Sequence, residues 1–486
     1  MRALKIFLLS ASILFPVQEQ AQATNQAASY IPPDFQDHER LEKISDALKG
    51  SEDFYEACLK QHHLPGIVYG LVVDDSLLLS GGFGSINIST GEPATSRSLF
   101  RIASMTKSFT AMAILKLRDE GKLFLHRPAA IYLPELDTLN YLSGDAQALS
   151  IYNLLTMTAG FPEDNPWGDR FLDMSDKDLM NQVKQGISFS SIPSEQYEYS
   201  NLGYGLLGQI ISRVSGIPFQ DYITQNILLP LGMTHTVWEY EDAPDNKLAV
   251  GYRRVDDKWL EEPMLHDGAF GAMGGLITSI EDFAKYISFH LSAWPPRNDL
   301  EKGPVKRSTL REMHQMNNPW YYSDPERFGP QKNMIIRGYG FGLVAMKDQD
   351  GIKEVGHNGG LPGFGSSYMF FPDYGIGIMA FSNLTYVGGT VRSANYRLME
   401  RLMDQGVFVP RSLPVSDILK QRAKQVAALI RFWDEELEKE VVAANHYLDI
   451  PREERMAEAK KLLSLAGEIR SVGPVIPENQ LRGSFR

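Results

Sequence analysis

A chain of 486 residues, 43% hydrophobic and 22% charged, has globular composition and enough length for one large domain or a few ordinary ones. Its formal net charge of −12 excludes a general attraction to nucleic acid or to anionic lipid. The single cysteine excludes an internal disulfide, so the core must hold the fold.

Residues 1–23 read as a secretory leader. Arg2 and Lys5 form a basic start, Ile6–Val17 is an apolar run too short to span a membrane comfortably, and Ala21-Gln22-Ala23 is an A-x-A cleavage signal. The chain is therefore expected to be exported, periplasmic or secreted, with no membrane span left after cleavage. Residues 24–37 are polar and linker-like. His38–Gln61 has helical spacing at Leu41, Ile44, Leu48, Phe54 and Leu59, broken near Gly50, and places Cys58 as a buried apolar helix residue. His62-His63 lacks an accompanying cluster with metal spacing, so no metal site is assigned.

Ile67–Val73 and Leu77–Leu79, separated by Asp74-Asp75-Ser76, predict a β-hairpin. A helix is predicted from Ser104 to Glu120, stopping at Gly121. From about 130 to 300 the pattern is mostly helical, as in Leu179–Val183 and Leu202–Ser215. Residues 294–335, rich in Pro, Asn, Asp and Arg, predict a long surface excursion. Strand character returns at Phe341–Ala345, Ser367–Phe371 and Gly375–Phe381, and a helix is expected near Val391–Met403. Strands at both ends and helices between predict one domain over 38–405. Its class is α/β (α+β): an antiparallel sheet flanked by helices, with a largely helical inserted subdomain. Pro410–Pro414 marks a boundary. The extension 406–486 is expected to be helical from Ser416 to about Leu448 and again from Asp449 to Gly467, and to end in the start of a truncated β domain.

Chemistry concentrates in three places. The first is Ser104-Met105-Thr106-Lys107. Residues three apart on a helix share a face, which brings the lysine beside the serine hydroxyl. A serine alcohol is a poor nucleophile until something takes its proton, and a desolvated lysine is one group able to help. The second is Tyr199-Ser200-Asn201. A phenol near a lysine ammonium ionises more easily, and Asn201 offers a donor and an acceptor to a substrate amide. The third is Gly356-His357-Asn358-Gly359-Gly360, whose glycines permit close approach of backbone to a ligand. His357 there is a candidate donor to a substrate carboxylate or to the phenol.

In this order the three clusters resemble the serine β-lactamase and penicillin-binding protein superfamily. The class C branch, with its DD-peptidase, D-aminopeptidase and esterase relatives, is the nearer match. Accessory phrases agree over roughly residues 35–405: Leu154-Leu155-Thr156, Gly160-Phe161-Pro162, Pro230-Leu231-Gly232-Met233, Gly274-Gly275-Leu276 and Tyr339-Gly340-Phe341-Gly342. The resemblance implies a β-lactamase/transpeptidase-like fold and acyl transfer through Ser104, without a cofactor. Lys107 would share the serine proton and depress the phenol's pKa, and Tyr199 would be the general base. Asn201, His357, Gly359 and Gly360 would bind substrate, with the N–H of Gly360 in the oxyanion hole.

Two departures shape the expected substrate. His357-Asn358-Gly359 replaces the Lys-Thr-Gly of β-lactamases in this branch, and a neutral imidazole pulls less on a β-lactam carboxylate. Met157 and Ala159 replace two polar residues common in relatives, which removes any polar role there. The implied activity is a peptidase or amidase acting on D-amino-acid or cell-wall-type peptides, with carboxylesterase or weak β-lactamase as alternatives. The expected partner is a small acyl or peptide substrate. A non-catalytic cell-wall ligand binder is the rival of another class, and the intact Ser/Lys/Tyr set argues against it.

Overall fold

The computed structural model describes residues 30–323 and 334–485, apart from 166, 245, 444 and 468–470. The expected leader and residues 24–29 of the linker lie outside the described residues. Contacts divide the chain into two units. One is Asp37–Pro410, and the other is Arg411–Arg486 with the segment up to Gln36.

In the larger unit, helix α1 (Asp53–His62) leads into strands β1 (Gly66–Val73), β2 (Ser76–Asn87) and the short β3 (Glu92–Pro93). Helices α2 (Lys107–Asp119), α3 (Asn201–Ser215) and α4 (Ile280–Ser292) follow. Strands β4 (Asn317–Ser323), β5 (Met334–Tyr339), β6 (Val344–Asp348), β7 (Lys353–Leu361), β8 (Phe364–Phe371) and β9 (Ile376–Ser382) precede helix α5 (Gly388–Asp404). All nine strands form one sheet in the order β3-β2-β1-β9-β8-β7-β6-β5-β4. The predicted hairpin is present, with Val73 opposite Ser76. Its join to the late strands is also present: β1 runs antiparallel to β9, with Val68 opposite Phe381.

β1 is buried on both faces because side chains alternate across a strand. Val68 and Val72 enter a core shared with α2, α3 and α4. Ile67, Tyr69, Leu71 and Val73 enter a second core shared with α1 and α5. There Tyr55 stacks on Tyr69 at 4.1 Å, and its hydroxyl donates to Asn395 Oδ1 at 2.9 Å. Cys58 lies buried on α1, and burial pushes its thiol up to about 11. His62 closes that helix, and His63 turns left-handed after it.

The segment 294–335 departs from the expected excursion. It contains helix Arg307–Met313 and β4, and its end enters β5, so it extends the sheet at one edge. Composition hid this because edge strands tolerate polar residues and proline. Residues 324–333 of it lie outside the described residues.

In the smaller unit the helix expected to run from Ser416 to about Leu448 breaks in two, Asp417–Phe432 and Glu435–Val441. Trp433 turns left-handed, and Asp434 caps the new start by accepting from Leu437 N at 2.8 Å. A third helix, Arg452–Ala466, ends at Gly467 as expected, and Ile476–Pro477 pairs with Gly483–Ser484. Among the described residues no helix is long and apolar enough to cross a membrane.

Candidate active site

Ser104 lies in a 3-10 turn, Ala103–Thr106, that runs directly into α2 at Lys107. The sequence pattern predicted a helix from Ser104 onward, and the tighter turn serves the same pairing better. With three residues per turn, positions three apart eclipse. Lys107 Nζ accordingly lies 2.9 Å from Ser104 Oγ. The lysine is fully buried and also donates to Asn201 Oδ1 at 2.7 Å and to the Met273 carbonyl at 3.0 Å. Three ammonium protons thus meet three acceptors. Burial still disfavours the charge and lowers the lysine pKa to about 7, although Asp169 and Asp164 act to raise it.

Tyr199 completes the cluster, with Lys107 Nζ 4.9 Å from its ring centre and a hydrogen bond to Ser104. Here the structure reverses the expected electrostatics. Burial pushes the phenol well above its ordinary range, and the Ser104 hydrogen bond offsets only part of that. The phenol rests protonated. The group nearest neutrality beside Ser104 is the lysine amine.

Asn201 is the first residue of α3, capped by Ser200, whose hydroxyl accepts from Gly203 N at 3.2 Å. The Asp164 carboxylate accepts from Asn201 N at 2.7 Å and from Leu202 N at 2.6 Å. Asn201 Nδ2 donates to Asn165 Oδ1 at 2.5 Å. The position of Met157 keeps a polar contact after all, because its sulfur lies 3.3 Å from Ser200 N as acceptor. That contact helps anchor the backbone next to Tyr199.

On the sheet side, β7 passes the serine turn. Its pairing with β6 ends at Val344 opposite Gly356, so His357–Leu361 projects beyond that partner while still pairing with β8. Gly359 must be glycine there. A Cβ on it would fall 2.2 Å from Ser366 Oγ and 2.3 Å from the Ile102 carbonyl. Gly360 follows, and a Cβ on it would lie 2.9 Å from the Tyr386 ring.

His357 is buried and neutral: burial, then the Lys107 charge, pulls its pKa down to about 3. Its Nδ1 lies 2.5 Å from the Asn358 carbonyl, which can only accept, so Nδ1 carries the proton. Nε2 then accepts from the Tyr339 hydroxyl at 3.1 Å. Both ring nitrogens are engaged within the protein. A cavity of about 130 Å³ borders Tyr199 and His357, walled also by Tyr197, Arg337, Tyr339 and Glu354.

Residues 52–402 match the Beta-lactamase family profile. The chain belongs to the Beta-lactamase family. Protein flp of Staphylococcus aureus is 29% identical over 390 residues, covering 78% of this chain and 71% of that protein. A penicillin-binding protein of Bacillus subtilis is 26% identical over 351 residues, covering 69% and 71% respectively. The octameric penicillin-binding protein homologue from Pyrococcus abyssi superposes with a TM-score of 0.62 at 25% identity, covering 78% of this chain and 82% of that one. The antiparallel sheet with its helical insertion is thus the fold of the serine β-lactamase and penicillin-binding protein superfamily.

Within this family fold, the seven predicted site residues gather around the Ser104 turn. Sequence reasoning placed the stretch from Glu163 to Arg170 near the acyl pocket only by analogy and gave no role to Asp164 or Asn165, which meet the start of α3. Their signal was faint: an acidic residue is a common helix cap, but nothing local shows which helix it caps. Tyr339 stood in a quoted phrase without a role, and its hydroxyl proves to orient His357.

Proposed function

We propose that this chain is an exported serine hydrolase that acts through an acyl-enzyme on Ser104. The observation that carries the reading is the 2.9 Å contact between Ser104 Oγ and a buried lysine whose pKa lies near neutrality. In its neutral form Lys107 accepts the Oγ proton as the Oγ–C bond forms, and the carbonyl electrons move onto oxygen. The N–H groups of Ser104 and Gly360 are the donors suited to that oxyanion. As the tetrahedral species collapses, the Tyr199 phenol gives its proton to the leaving amine and regains one from Lys107. Water repeats the cycle in reverse and releases the acid.

The favoured substrates are D-amino-acid or cell-wall-type peptides. The stretch of β7 from His357 to Leu361, which extends past β6 on one side while pairing with β8 on the other, suits an extended backbone, which adds to a sheet edge by main-chain hydrogen bonds. Similarity to penicillin-binding proteins points the same way. The neutral, doubly engaged His357 weighs against efficient β-lactam hydrolysis. Carboxylesterase activity is the second reading, because the Ser/Lys/Tyr set serves esters equally well. A non-catalytic cell-wall ligand binder has no need of a lysine so expensively buried.

A labelled fluorophosphonate or penicillin should modify the wild type and spare Ser104→Ala, and equal labelling of both sinks the assignment. A D-alanyl peptide, a p-nitrophenyl ester and nitrocefin, assayed on one preparation, rank the substrate classes. Recovery of the protein with Met1 intact in the cytoplasm of its source cell refutes export.

A further inference from the structure

Three residues of one loop clamp Asn201. The Asp164 carboxylate accepts from the Asn201 backbone N–H at 2.7 Å. Asn165 Oδ1 accepts from Asn201 Nδ2 at 2.5 Å. Gly168, whose N–H donates to the Asp164 carbonyl at 2.8 Å, packs so closely that a Cβ on it would lie 3.0 Å from the Asn201 Cβ. Asn201 is fully buried, whereas Asn165 is exposed. A surface side chain thus reaches in to hold a buried one.

The chemistry of the partners fixes which way each amide points. An ammonium only donates, and a carboxylate only accepts. Lys107 Nζ lies 2.7 Å from Asn201 Oδ1, so the amide oxygen faces the lysine and the amide nitrogen faces the loop. Asn165 must then offer its own oxygen to Asn201, and its nitrogen turns to Glu163 Oε1 at 3.2 Å. The result is a directed chain, Glu163–Asn165–Asn201–Lys107–Ser104, with links of 3.2, 2.5, 2.7 and 2.9 Å. Bonds in such a chain polarise and strengthen one another. Of the three acceptors around Lys107, Ser104 Oγ is the nucleophile and the Met273 carbonyl is backbone. Asn201 is the acceptor that can rotate away, and a rotated amide would aim its N–H groups at the ammonium.

We propose that Asn165 is a positioning residue: it locks the Asn201 amide with its oxygen on Lys107, and so holds the lysine against Ser104. This rests on the acyl-enzyme reading above. With the lock lost, the amide rotates and the ammonium keeps two acceptors instead of three. Lys107 then gives up its proton more easily, but it stands less well placed to take the one from Ser104.

The test is the pH dependence of covalent labelling by a fluorophosphonate on the full chain. In that step the Oγ–P bond forms, the P–F bond breaks, fluoride leaves and the Oγ proton passes to Lys107. The wild-type rate should rise through about pH 7. Asn165→Leu is close in size, cannot accept a hydrogen bond and keeps water from replacing the amide. Its rate above the limb should fall about 10-fold. Its rising limb should move to lower pH by up to about one unit, because the ammonium has lost an acceptor. Asn165→Asp keeps the acceptor and adds a charge that favours the ammonium, so its limb should move to higher pH. The other groups around Lys107 are Ser104, Met273, the rings of Tyr199 and Tyr204, neutral His357, and the carboxylates of Asp164 and Asp169. They are the same in all three proteins, so the movement of the limb reports on position 165. An unmoved limb in either variant, even with a lower rate, marks a merely structural role and overturns the proposal. Limbs that move the same way in both variants overturn it too. Labelling of Ser104→Ala at the wild-type rate overturns the acyl-enzyme reading instead, so the two failures are distinguishable.

Discussion

Gly359→Ala is the most demanding test of how the sheet meets the nucleophile. The added methyl would lie 2.2 Å from Ser366 Oγ, 2.3 Å from the Ile102 carbonyl and 3.0 Å from the Ala103 Cβ. Two of these atoms are backbone or on the serine turn, and the third, Ser366 Oγ, is buried and held by its hydrogen bond to the Ile102 carbonyl. β7 must retreat by about 1 Å before the contacts become ordinary, and overpacking of this kind costs about 1–3 kcal/mol. The methyl also intrudes on the buried Ser366 Oγ to Ile102 carbonyl hydrogen bond of 2.7 Å. Losing that bond adds about 1 kcal/mol. The expected total is about 2–4 kcal/mol, or a melting temperature lower by roughly 3–5 °C for a unit spanning Asp37–Pro410. The same retreat separates Gly360 from Ser104, and a displacement of about 1 Å at a reacting centre costs on the order of 100-fold in rate. Thermal melting followed by circular dichroism reads the first effect, and fluorophosphonate labelling at pH 8 reads the second. A variant with unchanged melting and labelling would refute the claim that β7 is pressed against the turn.

Tyr199→Phe should lower hydrolysis of a D-alanyl peptide about 10²–10⁴-fold, because an amine leaving group needs a proton. A p-nitrophenyl ester, whose leaving group needs none, should lose much less and keep its limb near pH 7; equal losses on both substrates contradict the role of acid. His357→Gln should leave the shape of the pH–rate profile between pH 5 and 8 unchanged, since the imidazole pKa of about 3 keeps it neutral throughout that range. Its ratio of kcat/KM for carboxylate-bearing over neutral substrates should also hold, and a selective loss on the former shows that the ring binds the carboxylate. Asp164→Ala removes the acceptor of two N–H groups at the start of α3 and should cost about 1–2 kcal/mol, read as a lower melting temperature. An unchanged melt means that water replaces the carboxylate without loss.

Short-range features of this chain were legible because their geometry is local. Three residues of one turn bring Ser104 to Lys107 whatever surrounds them. The hairpin of β1 and β2 follows from two apolar runs and a turn, and Gly121 and Gly467 follow the ends of real helices. Even the polar 294–335 segment was misread for a local reason: β4 lies at the edge of the sheet, where burial leaves little hydrophobic imprint.

What the amino-acid order alone determined is the set of reactive groups and the fold class that holds them. What tertiary structure decided is their charge and direction. The pairing of β1 with β9 joins segments some 300 residues apart and closes the wall behind the site. Burial then lowers Lys107, raises Tyr199 and lowers His357. Desolvation and hydrogen-bond partners are properties of a packed neighbourhood. No spacing of residues along the chain encodes that Asp164 would hold the start of α3 or that Tyr339 would hold the ring of His357.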